Sequence, residues 1–174
     1  KRKNPFRYKK DIKRREMKCR KFKKADSKQV SELMIKAFKS FLGDKLENLN
    51  EFSPSVFEKI SNFKDVFSER ISFVVADNKK IVGYISVTAG KNGLGSLEIV
   101  GVEPEYFSRG VGKILMKKAE EFWASKKQRK ISTCVSAHNK RALIYYIKNG
   151  FIPEGYRRDH FFVGVDEIIL GRFL

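Results

Sequence analysis

The chain has 174 residues, of which 38 are Lys or Arg and 20 are Asp or Glu, so its formal net charge is +18. This length predicts one domain, and a hydrophobic fraction of 41% with 15 Phe is enough to fill a core, which excludes global disorder. Two cysteines and two histidines exclude a disulfide scaffold and disfavour a metal centre. The longest apolar runs are far shorter than the ~18 residues of a membrane span, and no signal peptide is recognisable, so we expect a cytoplasmic protein without a membrane span.

The positive charge is concentrated at the start of the chain. Residues 1–24 contain 14 Lys or Arg and two acidic residues, a net charge of +12, whereas the remainder has 24 basic and 18 acidic residues, a net charge of +6. A segment this basic binds polyanions such as RNA or is simply a solvated tail. We therefore divide the chain into a basic arm, residues 1–16, and a folded domain, residues 17–174.

The first part of the domain predicts one strand and two amphipathic helices. Residues 17–23 are consistent with a strand. Apolar residues at helical spacing predict a helix over residues 25–41, with Gly43 at its end. Pro54 can open a second helix, and the apolar residues assigned to it are Val56, Phe57, Ile60 and Phe63.

The rest of the domain predicts strands and two further helices. Helical periodicity covers residues 110–126 and 139–149. Apolar and alternating runs predict strands at residues 71–76, 80–89, 96–103, 131–137, 155–163 and 167–174. The order β-α-α-β-β-β-α-β-α-β-β predicts an α+β fold with a single mixed sheet and no second domain.

The first segment that could carry chemistry is VEPEYFSRGVGK, residues 102–113. It ends a predicted strand and places Gly110 and Gly112 where the next helix begins. Free amides at a helix N-terminus bind phosphate, and Arg109 and Lys113 add positive charge. We therefore interpret the segment as a candidate phosphate site.

This glycine pattern is weak evidence when taken alone. It is not a dinucleotide fingerprint, because Leu115 stands where the third glycine should be. It is not a P-loop either, because Ile114 follows Gly-Lys where Ser or Thr should bind magnesium. A simple strand–helix turn would contain the same two glycines.

The second segment is NKRALIYYIKNGF, residues 139–151. Asn139 begins the predicted helix, and Tyr146 lies seven residues later on nearly the same helical face. Taken alone, Asn139 is an ordinary N-cap and Tyr146 an ordinary core aromatic.

Together the two segments strongly resemble the GNAT superfamily of acyl-CoA-dependent N-acetyltransferases. The shared pattern is V-x-P-x-Y-x-x-x-G-x-G, followed by N-x-x-A-x-x-x-Y-x-x-x-G-F. The element order over residues 17–174 is similar too, and the last residues are loosely similar to the final hairpin of the branch that acetylates protein N-termini, including the ribosomal-protein enzymes. The resemblance implies a mostly antiparallel sheet of about seven strands, with helices on both faces, that is splayed between residues 96–103 and 131–137.

The resemblance also implies that acetyl-CoA is the co-substrate and that no metal takes part. The backbone amides that would bind its pyrophosphate are those of Ser108, Arg109, Gly110, Val111, Gly112 and Lys113. The strand residues that would pair with its pantetheine arm are Val100, Gly101 and Val102. Asn139 would contact the pantetheine arm or the adenine-side arm from the opposite strand. Phe107 departs from the family pattern, which usually has Gln or Arg there, so we expect altered contacts at the edge of the phosphate site.

In the family's reaction a neutral amine attacks the thioester directly. The backbone amide of Gly101 or Val102 would stabilise the developing oxyanion, and Tyr146 would protonate the departing thiolate. Glu98 is our candidate general base, acting through water, although it could instead be a solvent-facing strand residue. In the N-terminal branch the base can lie on the next strand, where this chain has Cys134.

Several features of the acceptor stay open. The acceptor is a primary amine, and a protein N-terminus or a lysine is one candidate class. His160 could replace the family's substrate-gripping tyrosine or could be a surface residue. The alternative function is an acyl-CoA-binding module whose basic arm docks on RNA or the ribosome. A homodimer, in which the last strand could pair across the interface, is open as well.

Overall fold

One eight-stranded sheet organises the part of the chain that the structure, a computed structural model, describes, namely residues 17–43 and 49–174. The arm at residues 1–16 lies outside these ranges. The strands are β1 Lys18–Lys21, β2 Phe63–Lys64, β3 Ser68–Asp77, β4 Lys80–Gly90, β5 Leu94–Val102, β6 Lys130–Ser136, β7 Ile152–Phe162 and β8 Val165–Phe173. The α-helices are α1 Ser27–Leu42, α2 Pro54–Ile60, α3 Val111–Ser125 and α4 Lys140–Lys148.

The strand order across the sheet is β1-β3-β4-β5-β6-β8-β7, and the short β2 pairs with β3. Each pairing is antiparallel except that of β5 with β6. This parallel register runs only from Leu94 opposite Lys130 to Ser96 opposite Ser132, and beyond it the two strands separate. The predicted mixed, mostly antiparallel sheet with a splay between β5 and β6 is confirmed.

Each face of the sheet has its own hydrophobic core. On the α3/α4 face, side chains of those helices such as Leu115, Trp123 and Tyr146 pack against the strands. On the opposite α1/α2 face, Leu33 and Phe57 belong to the second core. Side chains alternate between the faces along a strand, so both faces of the central strands are apolar. The prediction of helices on both faces is confirmed.

Three local predictions are wrong. The second helix ends at Ile60, and Phe63 lies in β2, paired with Arg70, instead of in the helix. β7 begins at Ile152, before the predicted residue 155, and a proline is tolerated early in it because β7 is an edge strand. β8 pairs with β6 on one side and β7 on the other, so the final strand has no free edge for pairing across a dimer.

Within residues 17–43 and 49–174, no helix combines the length and the apolar character that crossing a membrane requires. In the same residues, no group of His, Cys, Asp and Glu side chains is arranged to hold a metal ion.

Candidate active site

A β-bulge in β5 lies at Glu98. On β4, Ser86 lies opposite Ile99 and Val87 lies opposite Leu97, so Glu98 is the extra residue. Leu97 packs in the core of the α3/α4 face and Ile99 against that of the α1/α2 face. Alternation along β5 places Glu98 on the α1/α2 face with Ser96, and the bulge places Ile99 on that face as well, where β5 begins to part from β6. Bulges of this kind are common beside active sites.

Polar side chains hold the Glu98 carboxylate at the edge of a cavity. Its Oε2 accepts a hydrogen bond from Arg70 at 3.1 Å, and its Oε1 accepts from Thr88 at 3.3 Å and from the Ser96 hydroxyl. The side chain is nevertheless 34% exposed. The cavity, of about 560 Å³, is also lined by Phe67, Lys91 and Leu94. Glu98 is therefore fixed in place and still reachable from solvent.

The loop between β5 and α3 presents the first amides of α3. Gly110 is the N-cap, with a φ of +87° that favours glycine, and a Cβ there would meet no atom within 4 Å. The first amides of a helix have no acceptor within that helix. Here they belong to Val111, Gly112 and Lys113, because the Ile114 amide already donates to the Gly110 carbonyl at 3.1 Å. The space beside Gly110 is open, which leaves room for a phosphate at this end of the helix.

Two cation–aromatic contacts surround this loop. The Arg109 guanidinium lies over the Tyr106 ring at 5.3 Å, and the Arg109 amide donates to the Tyr106 carbonyl at 3.3 Å, so that amide is already engaged. The Arg141 guanidinium, from α4, lies 4.2 Å from the centre of the Phe107 ring. Arg141 thus brings a cation to the position where Phe107 replaces the family's polar residue. Sequence reasoning missed Arg141, because only the packing of α4 beside the loop reveals it.

Tyr145 joins α4 to the start of α3. Its hydroxyl donates to the Gly112 carbonyl at 2.8 Å, and a Cβ at Gly112 would lie 3.0 Å from its ring. The second glycine of the segment therefore makes room for Tyr145. The sequence pattern alone indicated neither this packing of Gly112 nor a role for Tyr145.

Tyr146 is buried at the point where the sheet opens. Only 4% of it is exposed, its ring packs on Phe151, and Thr133 of β6 lies beside its hydroxyl. Thr133 donates in turn to the Leu97 carbonyl at 2.9 Å, across the line where β5 and β6 part. Burial raises the pKa of Tyr146 well above its ordinary value, so the phenol keeps its proton at neutral pH.

The backbone of β5 has one free side beyond the splay. Val102 still lies opposite Gly83 of β4, but the register with β6 has ended, so an extended ligand can approach that edge. Gly101 is fixed by packing, because a Cβ there would lie 2.4 Å from the Met34 sulfur. Asn139 caps α4 by accepting from the Ala142 amide at 3.0 Å, which confirms its N-cap interpretation. Its contact with pantetheine stays a prediction.

A second polar cluster lies on the α1/α2 face, on the β6 side of the splay. Glu167 of β8 is 6% exposed, and its Oε2 lies 2.8 Å from Nδ1 of His160. Burial and the neighbouring Glu167 carboxylate raise the pKa of the Cys134 thiol to about 11. A thiol that keeps its proton at neutral pH is a poor general base, which disfavours that role for Cys134. Glu167 was missed by sequence reasoning, since nothing in the strand pattern shows that this carboxylate is buried.

Comparison with known proteins identifies the family. Residues 68–153 match the acetyltransferase (GNAT) domain, and this stretch contains both glycine-bearing segments. The chain contains a GNAT acetyltransferase domain. The resemblance stated from the sequence is therefore confirmed, and so is the use of acetyl-CoA as co-substrate.

Solved acetyltransferase structures share the fold of this enzyme. The PaiA N-acetyltransferase from Thermoplasma acidophilum, in complex with coenzyme A, has a TM-score of 0.74 at 18% identity, covering 91% of this chain and 99% of that chain. The ribosomal-protein-S18-alanine N-acetyltransferase from Escherichia coli has a TM-score of 0.71 at 16% identity, covering 91% of this chain and 94% of that chain. Ard1 from Thermoplasma volcanium has a TM-score of 0.73 at 14% identity, covering 91% of this chain and 97% of that chain. At these identities the likeness concerns the fold.

The residues present fit acetyl-CoA. The open start of α3 suits its phosphates, and the free edge of β5 suits the amides of its pantetheine arm. Acetyl-CoA supplies an activated thioester, and Tyr146 holds a proton beside the opening through which that thioester would reach the other face of the sheet.

Proposed function

We propose that this GNAT acetyltransferase transfers the acetyl group to a primary amine of a protein, either an N-terminus or a lysine side chain. The observation that carries the proposal is the position of two residues at the splay between β5 and β6. Tyr146 packs on the α3/α4 face and Glu98 faces the α1/α2 side. One of the structural neighbours is named for a protein acceptor, an alanine of ribosomal protein S18, which supports the protein class.

The α3/α4 side of the splay binds the co-substrate in this proposal. The amides of Val111, Gly112 and Lys113 bind the pyrophosphate, with Arg141 beside them. The free edge of β5 pairs with the pantetheine arm, and the amide of Gly101 or Val102 donates to the thioester oxygen as negative charge develops on it.

The α1/α2 side receives the amine. Glu98 accepts a proton from the ammonium through a water molecule, which leaves a neutral nitrogen able to attack. A C–N bond forms as the C–S bond breaks, the nitrogen loses its second proton to solvent, and Tyr146 gives its proton to the departing sulfur. Solvent then restores the proton of Tyr146, and Glu98 releases the proton that it took.

An acetylation screen tests the proposed function. The panel contains peptides beginning with Ala, Ser or Met, an N-acetylated peptide with an internal lysine, and small diamines. We expect acetylation of at least one peptide, and a Glu98→Gln variant that binds acetyl-CoA as the wild type does but turns over at least about 100-fold more slowly. Turnover of the diamines alone would contradict the protein class, and an absence of acetyl-CoA binding by calorimetry would contradict the function altogether.

We also propose that the basic arm, residues 1–16, contacts RNA. The support is its charge, since nine of its 16 residues are Lys or Arg and only two are acidic. Deletion of the arm should weaken binding to an RNA hairpin and reduce the dependence of that binding on salt. The reason is that a complex with fewer phosphate contacts releases fewer counterions when it forms. Turnover of a short peptide should stay the same. Equal RNA affinity with and without the arm would refute this role.

A further inference from the structure

We propose that Glu167 is a second carboxylate of the acceptor pocket and that it binds the ammonium group of the incoming amine, while His160 positions it. This inference rests on the proposed function, because it assumes that the α1/α2 side of the splay receives an amine. It assigns the chemical class of group that the pocket recognises, a primary ammonium, and a residue that recognises it.

The first argument is the burial of a carboxylate without a cation in direct contact. Glu167 is 6% exposed, and its carboxylate is hydrogen-bonded to His160. Burying a carboxylate is costly unless charge or strong hydrogen bonds compensate for it. The compensation here therefore depends on the hydrogen bond with the imidazole of His160.

The contact with Arg157 indicates which nitrogen of the His160 ring carries a proton. Its Nη1 lies 3.2 Å from Nε2 of His160, and a guanidinium can only donate. Nε2 must therefore accept, so Nδ1 bears the proton and donates to Glu167 at 2.8 Å. In this arrangement the ring separates the cation of Arg157 from Glu167. A primary ammonium is a cation that can contact the Glu167 carboxylate directly.

The second argument is position. Glu167 and Val165 project from β8 on the same side, and Val165 packs in the core of the α1/α2 face. Cys134 of β6 lies near both carboxylates, since Glu98 and Glu167 both act to raise the pKa of its thiol, and Glu167 lies opposite Ser136, two residues further along β6. The pocket thus has Glu98 on the β5 side of the splay and Glu167 on the β6 side. An amine that enters between them has Glu98 on one side and Glu167 on the other.

The third argument is the distorted backbone that carries His160. The register of β7 with β8 shifts between Arg157 and Phe162, and Asp159 has a φ of +45°. Hydrogen bonds of Asp159 fix this bulge, because its amide donates to Asp166 at 3.1 Å and its carboxylate accepts from the Gly164 amide at 2.5 Å. Bulges and strained residues of this kind persist where surrounding contacts fix them, commonly at functional sites. Here the bulge brings His160 back over Glu167.

Binding of an acceptor to the enzyme–CoA complex tests this inference without requiring turnover. The probes are peptides beginning with Ala, Ser or Met and an N-acetylated peptide with an internal lysine, titrated by calorimetry into full-length protein saturated with CoA. We expect Glu167→Gln to weaken binding of the best probe by at least about tenfold, since it removes a charge-assisted hydrogen bond. Glu120→Gln is the matched control, because Glu120 pairs with Arg172 on another part of the surface, and it should bind as the wild type does.

His160→Ala provides a second variant in case Glu167→Gln folds poorly. It should weaken peptide binding by about threefold to tenfold, because Glu167 loses its positioning hydrogen bond, and it should leave the affinity for CoA unchanged. Peptide that binds without being acetylated would sink the proposed reaction and leave this inference standing. Equal peptide affinity in wild type and both variants, or no binding of any probe to the wild type, would overturn the inference.

Discussion

The phenolic hydroxyl of Tyr145 donates a hydrogen bond of 2.8 Å to the carbonyl oxygen of Gly112. This bond ties α4 to the first turn of α3, whose amides form the candidate phosphate site. Burial raises the pKa of Tyr145 above its ordinary value, so the donor keeps its proton over the physiological range. The neighbouring Tyr146 lies beside the splay. Two adjacent tyrosines thus contact the two ends of the proposed acetyl-CoA site.

Tyr145→Phe should weaken acetyl-CoA binding without impairing the chemical step. The variant keeps the ring beside Gly112 and loses one hydrogen bond, worth about 1 kcal/mol, so we expect the Kd for acetyl-CoA to rise about fivefold. Calorimetry and steady-state kinetics measure the two effects. A lower kcat with an unaltered Kd would show that Tyr145 acts elsewhere.

Tyr146→Phe should have the opposite signature. Removal of the proposed proton donor should lower kcat by about 100-fold, the lower end of general acid catalysis, because a thiolate leaves comparatively readily. Acetyl-CoA should bind as before. Since the folded pKa of Tyr146 is raised, its proton should stay in place up to the alkaline range, and wild-type activity should not fall between pH 7 and about pH 9 from its loss. Full turnover by the variant would refute the assigned role.

Arg141→Ala tests the cation that lies over Phe107. Loss of an exposed guanidinium near the phosphates should cost about 1 kcal/mol, or about fivefold in the Kd for acetyl-CoA, and the loss should shrink at high salt. Lys148→Ala is the control, because it removes an exposed cation from the other end of α4. If both variants bind equally well, Arg141 has no part in the site.

Gly101→Ala tests the packing of α1 beneath β5. The added Cβ would lie 2.4 Å from the Met34 sulfur, so we expect a loss of about 1–3 kcal/mol in the free energy of unfolding. Met34→Ala should also destabilise, by creating a cavity. The double variant should lose less than the sum of the single losses, because the smaller side chain at Met34 gives the new methyl room. Urea unfolding measures all three, and additive losses would contradict the contact.

Alkylation of Cys134 measures its contact with Glu167. In a Cys19→Ser background, the rate with iodoacetamide should keep rising with pH towards about pH 11, because only the thiolate reacts and the pKa of Cys134 is about 11. Glu167→Gln removes a negative charge that raises this pKa, so the variant should react faster than the parent at pH 8.5. Identical rate profiles in the two proteins would place Glu167 away from the thiol.

The sequence predicted the elements well where the pattern is local. Helical periodicity and the two glycine segments were enough to indicate α3, α4 and the family, because these signals lie in short stretches of chain. Prediction was wrong where a single contact decides the outcome, as with Phe63, which lies in β2 because it pairs with β3. The bulge at Glu98 was also missed, since it is defined only by the register with β4.

The sequence by itself determined the basic arm, the order of the elements and the residue types at the start of α3. Tertiary structure alone decided which side chains meet. Arg141 lies over Phe107 because α4 packs beside the loop, and Glu167 is buried beside His160 because β8 lies between β6 and a bulged β7. The reason is physical: local preferences depend on neighbours along the chain, whereas burial and contact across strands depend on residues distant in sequence.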